Sequence, residues 1–308
     1  MASSSSFQNP KDLKFVITLA QGKQNFISNG SQYNTITLQG LMASVFINNG
    51  GAAMMGTLSA QIFGLTDSQL NALTSPQWLN VVSNRSGGEN QIQVYAIDGS
   101  TETLVYNGYI VNAWGVYTSM PEVYLYIQAQ VGFPQLTNPS APLSIASDTT
   151  IGTVMGQIAT AMGFNFVNNG VSGIVPKGTY LANTLMEQAF QLMEAGRFWM
   201  YIDNTSPNTL AIAPYGKGTN TVAALVSPET GLIGYPMFNQ VGINFDTLFN
   251  PNIIFGGYVE VKSSVANATG SWIVNSISHQ LSSQTPGGPW QSTVFATTSQ
   301  FPTLLGGL

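Results

Sequence analysis

The chain has no cysteine and a single histidine in 308 residues. Without cysteine there are no disulfides, no thiolate nucleophile and no thiolate metal site. With His279 alone there is no histidine pair to hold a metal, and one imidazole is available for a conventional Ser–His arrangement. Charge is equally scarce. Charged residues make up 7% of the chain, against about 25% in an average soluble protein. Eight Lys and Arg are scattered among thirteen Asp and Glu, so the grouped cations that neutralise phosphates are missing. Sequence-specific nucleic-acid binding is not expected, and a mildly acidic surface would let DNA pass without sticking. No stretch approaches the ~18 apolar residues of a membrane span. "MASSSSFQNP" has neither the basic start nor the apolar core of a signal peptide, so assembly in a cytoplasm is expected.

What fills the place of charge is Asn, Gln, Ser, Thr and Gly, while the hydrophobic share is an ordinary 44%. A freely diffusing enzyme usually keeps more surface charge for solubility; this composition suits a surface covered by neighbours. The length allows two or three domains at roughly 100–150 residues each.

Three regions follow from the patterning. Residues 1–133 open with a flexible arm (1–10) and then read as β. "KFVITLA" (14–20), "NTITLQGLMASVFI" (34–47), "GTLSAQIFGL" (56–65), "NQIQVYAID" (90–98), "TLVYNGYIVNAWGVY" (103–117) and "EVYLYIQAQV" (122–131) are rich in Val, Ile, Thr and Tyr, and most alternate with period two. A short helix is expected at 66–73, capped by Thr66. Residues 134–217 begin with a proline-bearing linker (134–148) and form a small α+β domain. Ile151, Val154, Ile158 and Met162 share one helix face, as do Leu185, Ala189, Leu192 and Met193. Asn183 is the expected N-cap and Gly196 the expected C-terminal stop of the second helix. Strands are expected at 197–203 and 209–216. Residues 218–308 return to β, with strands at 232–236, 241–249, 256–264, 271–281 and 290–298. Tyr109-Ile110-Val111-Asn112-Ala113 is echoed by Trp272-Ile273-Val274-Asn275-Ser276. Each begins a strand that reaches a proline-bearing hairpin loop, so the outer regions read as two copies of one β-domain around an α+β insert.

Catalytic constellations are thin. His279 shares a strand face with Ile273, Asn275, Ile277 and Leu281, and reads as a partly buried strand residue before a catalytic base. Asp98 and Glu102 flank a Gly-Ser turn. Glu187 and Glu194 stand two helical turns apart, about 10 Å by the helix rise, a little wide for glycosidase carboxylates; a solvated helix face accounts for them. "NNGGAAMMG" (48–56) lacks the Lys-Ser/Thr of a phosphate loop and reads as a hairpin tip. No cofactor, metal or catalytic residue is expected. The candidate interface residues are Gly50, Gly51, Met54 and Met55 in that tip, since Met adapts to irregular contacts, and Pro286, Gly287 and Gly288 in the last hairpin loop. Burial of both Met residues is the competing reading.

"PETGLIGYPMFNQVGINFDTLFNPNIIFGGYVEV" (228–261) and "GSWIVNSISHQLSSQTPGGPWQSTVFA" (270–296) together resemble the last domain of the hub proteins of bacteriophage tail baseplates. The matching features are Gly231 to Pro236, Asn250-Pro251, the strand from Gly256 to Val261, and the closing hairpin from His279 to Trp290. The first region is similar more loosely. The resemblance implies a mainly β fold with an α+β insert, in which two tail-tube-like β-barrel domains (1–133 and 218–308) flank a small α+β domain (134–217). It implies a structural virion protein and not an enzyme: a homotrimer whose six barrels form a pseudo-sixfold ring lining the DNA channel. Its partners would be the tail tube protein on one side and the central spike protein on the other, with the tape-measure protein and other baseplate subunits nearby. A peptidoglycan-degrading tail enzyme and a β-domain adhesin or tail fibre subunit are the alternatives.

Overall fold

The computed structural model describes residues 11–20, 26–28, 31–50, 55–74, 89–118, 120–203, 209–219 and 222–298. The expected arm at 1–10 lies outside them. Two compact units are present: Met1–Ile47, Thr57–Val131 and His279–Trp290 form the first, and Asn48–Gly56, Gly132–Ser278 and Gln291–Leu308 form the second.

The first unit is a β-sheet structure built on period-two burial. Its strands are β1 (Lys11–Thr18), β2 (Phe26–Ser28), β3 (Ser31–Tyr33), β4 (Thr35–Gln39), β5 (Ala43–Gly50), β6 (Thr57–Phe63), β7 (Gln91–Asp98), β8 (Thr101–Val116) and β9 (Tyr124–Gln130). The stretch 34–47, expected as one strand, is broken into β4 and β5 by a turn at Gly40, where φ is +71°. Leu13, Phe15 and Ile17 of β1, Leu58, Ala60 and Ile62 of β6, and Ile92, Val94 and Ala96 of β7 are buried, while the residues between them face outward. Helix α1 (Asp67–Leu73) begins as expected: Thr66 and Gln69 form a capping box, and Leu70 and Leu73 are buried. Hydrogen bonding orders the strands β5-β6-β9-β8-β7-β1-β4. β8 is 16 residues long and carries two register shifts, against β7 at Val94/Tyr95 and against β9 at Ile110/Asn112. Each leaves one extra residue on β8, which bends a strand and increases its twist.

The second unit contains a helical part and a second sheet. Its helices are α2 (Phe133–Thr137), α3 (Ile151–Met162) and α4 (Leu185–Gly196). Its short strands are β10 (Leu143–Ser144), β11 (Thr149–Thr150), β12 (Asn165–Asn168), β13 (Ile174–Val175) and β14 (Tyr180–Leu181). β15 (Phe198–Asp203) and β16 (Thr209–Pro214) follow, then β17 (Ala224–Val226), β18 (Leu232–Phe238), β19 (Gly242–Leu248), β20 (Tyr258–Val261), β21 (Gly270–Ser283) and β22 (Trp290–Thr297). From His279 on, β21 belongs to the first unit. The proline-bearing segment 134–148 is more structured than expected, because Pro134 suits the first turn of α2, where its missing N–H costs nothing.

α3 and α4 pack on each other and on the three-stranded sheet β12-β16-β15. Ile151, Val154, Ile158 and Met162 are buried, as are Ala189, Leu192 and Met193. Both expected caps of α4 move by one residue. Thr184, not Asn183, is the N-cap, its hydroxyl accepting from Glu187 N. Asn183 sits at φ +79°. At the other end Gly196 is the last helical residue and Arg197 takes the left-handed conformation, at φ +50°. Glycine at 196 answers a close approach: a Cβ there would lie 2.8 Å from the Phe198 ring and 2.9 Å from Ile151 Cδ1.

Among the described residues, the helical part and the last sheet touch near residue 217. The Tyr201 and Phe255 rings meet edge-on at 5.5 Å, and Thr219 N donates to Gly256 O. The last sheet runs β18-β19-β22-β21, with β20 on β21 and β17 on β20. Its core holds Val226, Ile243, Phe245, Val259, Val274, Ile277 and Val294, with Trp272 against them.

The two strand orders correspond. β5-β6-β9-β8-β7-β1 in the first unit is matched by β18-β19-β22-β21-β20-β17 in the last sheet. β8 and β21, which carry the five-residue echo, hold the same place in each. One pair departs: β17 runs parallel to β20, whereas β1 is antiparallel to β7. Among the described residues no pairing closes either order into a barrel. No described helix is long and apolar enough to cross a membrane.

Candidate assembly surfaces

The expected interface residues fall in two places. Gly50 ends β5 and is half-buried, while Gly51 and Met54 lie outside the described residues. Met55 is buried rather than exposed. Its thioether packs beside Gly132: a Cβ there would meet Met186 Cε at 3.2 Å, Ile202 Cδ1 at 3.5 Å and Met55 Sδ at 3.9 Å. A flexible thioether fills such an irregular gap in a core as readily as it would meet a partner.

The last hairpin loop does present its tip. Pro286 and Gly287 are exposed and Gly288 is half-buried. The loop is tied internally: Gly288 N donates to Thr285 O, Thr285 Oγ1 to Ser283 O, and Ser282 Oγ to Pro289 O. Gly287 takes φ +69°, a turn that a residue with a Cβ resists. Residues 279–290 are grouped with the first unit. Ser283 Oγ donates to Leu41 O at 2.7 Å, and Lys11 Nζ stands 5.5 Å from the centre of the Trp290 ring.

The candidates for chemistry are not gathered into a site. His279 is buried between Ile277 and Leu281 on its face, and burial pulls its pKa from 6.5 down to about 4. Glu102 is paired with Lys14, whose ammonium also lies 4.3 Å from the centre of the Tyr95 ring. Glu187 and Glu194 are exposed on α4. Burial lowers the pKa of Lys11, and the nearby Asp98 charge partly offsets this. No group of three or more His, Asp or Glu suited to a metal occurs among the described residues.

Two surfaces escaped the sequence reading. On β18, Ile233, Tyr235, Met237 and Phe238 are between 40 and 70% exposed. An apolar run without alternation reads as a buried strand, and here it is an outer strand instead. Its pairing with β19 shifts register between Ile233 and Met237, where Gly234 adopts φ +67°. The second surface is the outer face of β6-β9-β8. The Phe63 and Tyr124 rings meet at 5.0 Å and the Trp114 and Tyr126 rings at 4.8 Å, and Asn112 Nδ2 donates to Gln128 Oε1 beside them. Where β8 turns toward β9, Tyr117 is 48% and Met120 is 72% exposed.

The family described as baseplate hub gp41 matches residues 14–288. Among solved structures, the 43 kDa tail protein of prophage MuSo2 from Shewanella oneidensis is 10% identical, with a TM-score of 0.61, covering 93% of this chain and 97% of that one. A tail protein from Neisseria meningitidis is 8% identical at a TM-score of 0.63, covering 94% and 97%. The E. coli c3393 protein is 9% identical at 0.57, covering 92% and 76%. It is described as a component of the type VI secretion system with structural similarity to the T4 bacteriophage tail proteins gp27 and gp5. At these identities the likeness is one of fold. No curated protein matches the sequence.

Proposed function

Because the chain belongs to the baseplate hub gp41 family, we propose that it is the trimeric hub of a bacteriophage tail baseplate. Membership alone makes it a structural protein of the tail and not an enzyme. The finer reading is that each chain supplies two tube-like β-domains, 1–133 and 218–308, flanking the α+β domain 134–217. Three chains then make a ring of six such domains around a DNA channel. A sixfold tail tube stacks on one side, and a threefold spike docks on the other. Tape-measure protein and further baseplate subunits would be neighbours.

The observation that carries this reading is the correspondence of the two strand orders, β5-β6-β9-β8-β7-β1 and β18-β19-β22-β21-β20-β17. A chain that holds the same topology twice can present six similar domains from three copies. Low charge agrees with it: 7% charged residues is a composition for surfaces covered by partners. Light scattering of the purified chain, followed by cryo-microscopy of the assembled particle, tests it. Three copies with threefold symmetry are expected. A monomer at every concentration, or a sixfold ring with one domain per copy, would overturn the reading.

A further inference from the structure

In the first unit the outer end of the β21–β22 hairpin is added to β5. β21 is the hydrogen-bonded neighbour of β5, residues His279–Trp290 group with that unit, and Ser283 is bonded to Leu41. In the corresponding strand orders β5 matches β18, and β21 matches β8. The same addition, moved one place along, sets the outer end of a β8–β9 hairpin on β18. Among the described residues of one chain this pairing is not made. β18 ends its order, and no described strand lies on its other edge. β8 also stops short. With Tyr109 aligned to Trp272, Val116 falls at His279; β8 ends there, whereas β21 runs on to Ser283.

Both unfilled surfaces are apolar. β18 exposes Ile233, Tyr235, Met237 and Phe238, and residues 230–245 contain no charged side chain. Strand β8 exposes Trp114 and the β8–β9 turn exposes Tyr117 and Met120, and Glu122 is the one charged residue between 103 and 131. An exposed apolar edge strand is a template for another strand. Pro236 and the irregular pairing at Gly234 limit which strands can add to it.

We propose that β18 of one copy takes the β8–β9 hairpin of a second copy as an added strand, repeating between chains the pairing that β5 makes with β21. Main-chain hydrogen bonds would supply affinity and the apolar side chains specificity. The two surfaces are different, so the contact is head to tail and closes into a ring when the rotation allows. The proposal names the surface that holds the proposed trimer together, and rests on that reading for its closure.

The absence of cysteine permits a clean test. Tyr117→Cys, Ile233→Cys, Tyr235→Cys and Met237→Cys are each made in the full chain and checked for native circular dichroism. They are then oxidised alone and in pairs, since a disulfide forms only where Cα atoms approach within roughly 7 Å. A two-chain product is expected from Tyr117→Cys with at least one β18 variant, in at least tenfold higher yield than from any variant alone. β18 variants that cross-link among themselves but not to Tyr117→Cys would overturn the proposal in favour of edge-to-edge pairing. A β18 cross-link obtained only with tail tube protein carrying its own cysteine would overturn it in favour of that partner. A wild-type trimer with no cross-link in any mixture would sink this contact and leave the hub reading intact. A wild-type monomer throughout would sink both.

Discussion

Ser283 donates its hydroxyl to the backbone carbonyl of Leu41 at 2.7 Å, although the two stand 242 positions apart. Ser283 is buried, so the bond cannot be exchanged for water without opening the hairpin end. A hydrogen bond contributes about 0.5–1.5 kcal/mol net, whereas stranding a buried partner costs about 1–3 kcal/mol. Ser283→Ala should therefore lower stability by about 1–2 kcal/mol. It should also speed amide exchange in residues 279–283 before it does so in β7 or β8. Exchange rates unchanged in that segment would mean the contact contributes nothing.

Gly196 and Gly163 end the two long helices for different reasons, and alanine separates them. At Gly163, φ is +76° and nothing lies within 4 Å of a Cβ, so Gly163→Ala costs backbone strain of about 1–2 kcal/mol. At Gly196 alanine gains about 0.5–1 kcal/mol of helix propensity and loses about 1–3 kcal/mol to overpacking against Phe198 and Ile151. A net loss near 1 kcal/mol is expected. Phe198→Leu should relieve part of the Gly196→Ala defect and none of the Gly163→Ala defect, measured as a double-mutant cycle in urea.

What was legible in the sequence was local. β6, β7 and β9 follow from period two, and α1 from Thr66 as its cap. The buried faces of α3 and α4 followed from spacings of three and four. What was not legible depended on residues far away in the chain. Asn183 and Thr184 are both good caps, and the choice is made by the segment around Ser140, which engages the Asn183 carbonyl. For Met55 the sequence leaves an exposed tip and burial both open, because nothing nearby in the chain announces Met186 and Ile202. The hairpin from His279 to Trp290 was read within the last region, and only the pairing of β21 with β5 brings its end to the first unit. The pattern over 232–236 predicts a strand, but not that β18 ends its sheet order with its apolar residues exposed.

Gln188 is the polar centre of the linker's attachment. It is buried on α4, and its Nε2 donates to Ser140 Oγ at 2.9 Å, Ala141 O at 3.1 Å and Asn183 O at 3.3 Å. Gln188→Leu keeps the size and removes the donor to Ser140 Oγ and Ala141 O, while Asn183 O keeps its bonds from Ser140, at about 0.5–1.5 kcal/mol. Limited proteolysis should then cut the chain near residues 138–142 at lower protease concentration than in the wild type. Gln188→Glu, which removes the donor and adds a buried charge, should do so more strongly. Equal resistance in all three proteins would exclude this role.

His279 links stability to pH, and the sign is set by burial. Its pKa lies at about 4 in the folded chain, against 6.5 for the free side chain. Between those values the unfolded chain binds a proton that the folded chain does not. Stability therefore rises with pH across this window and is lost as pH falls from 6.5 toward 4. Above 6.5 the group contributes no pH dependence. At about 1.4 kcal/mol per unit, the loss by pH 4 reaches about 3 kcal/mol. Because the chain has one histidine, its ring-proton resonance is assigned at once, and its titration midpoint should lie near 4. The urea midpoint of His279→Leu supplies the second measurement. Carboxylates titrate in the same window in both proteins, so the difference between them isolates the imidazole. That difference should be constant above pH 6.5 and shift in the variant's favour below it. A resonance titrating near 6.5, with a difference that does not move, would place the end of the hairpin in water. It would then contradict the packing of His279 between Ile277 and Leu281.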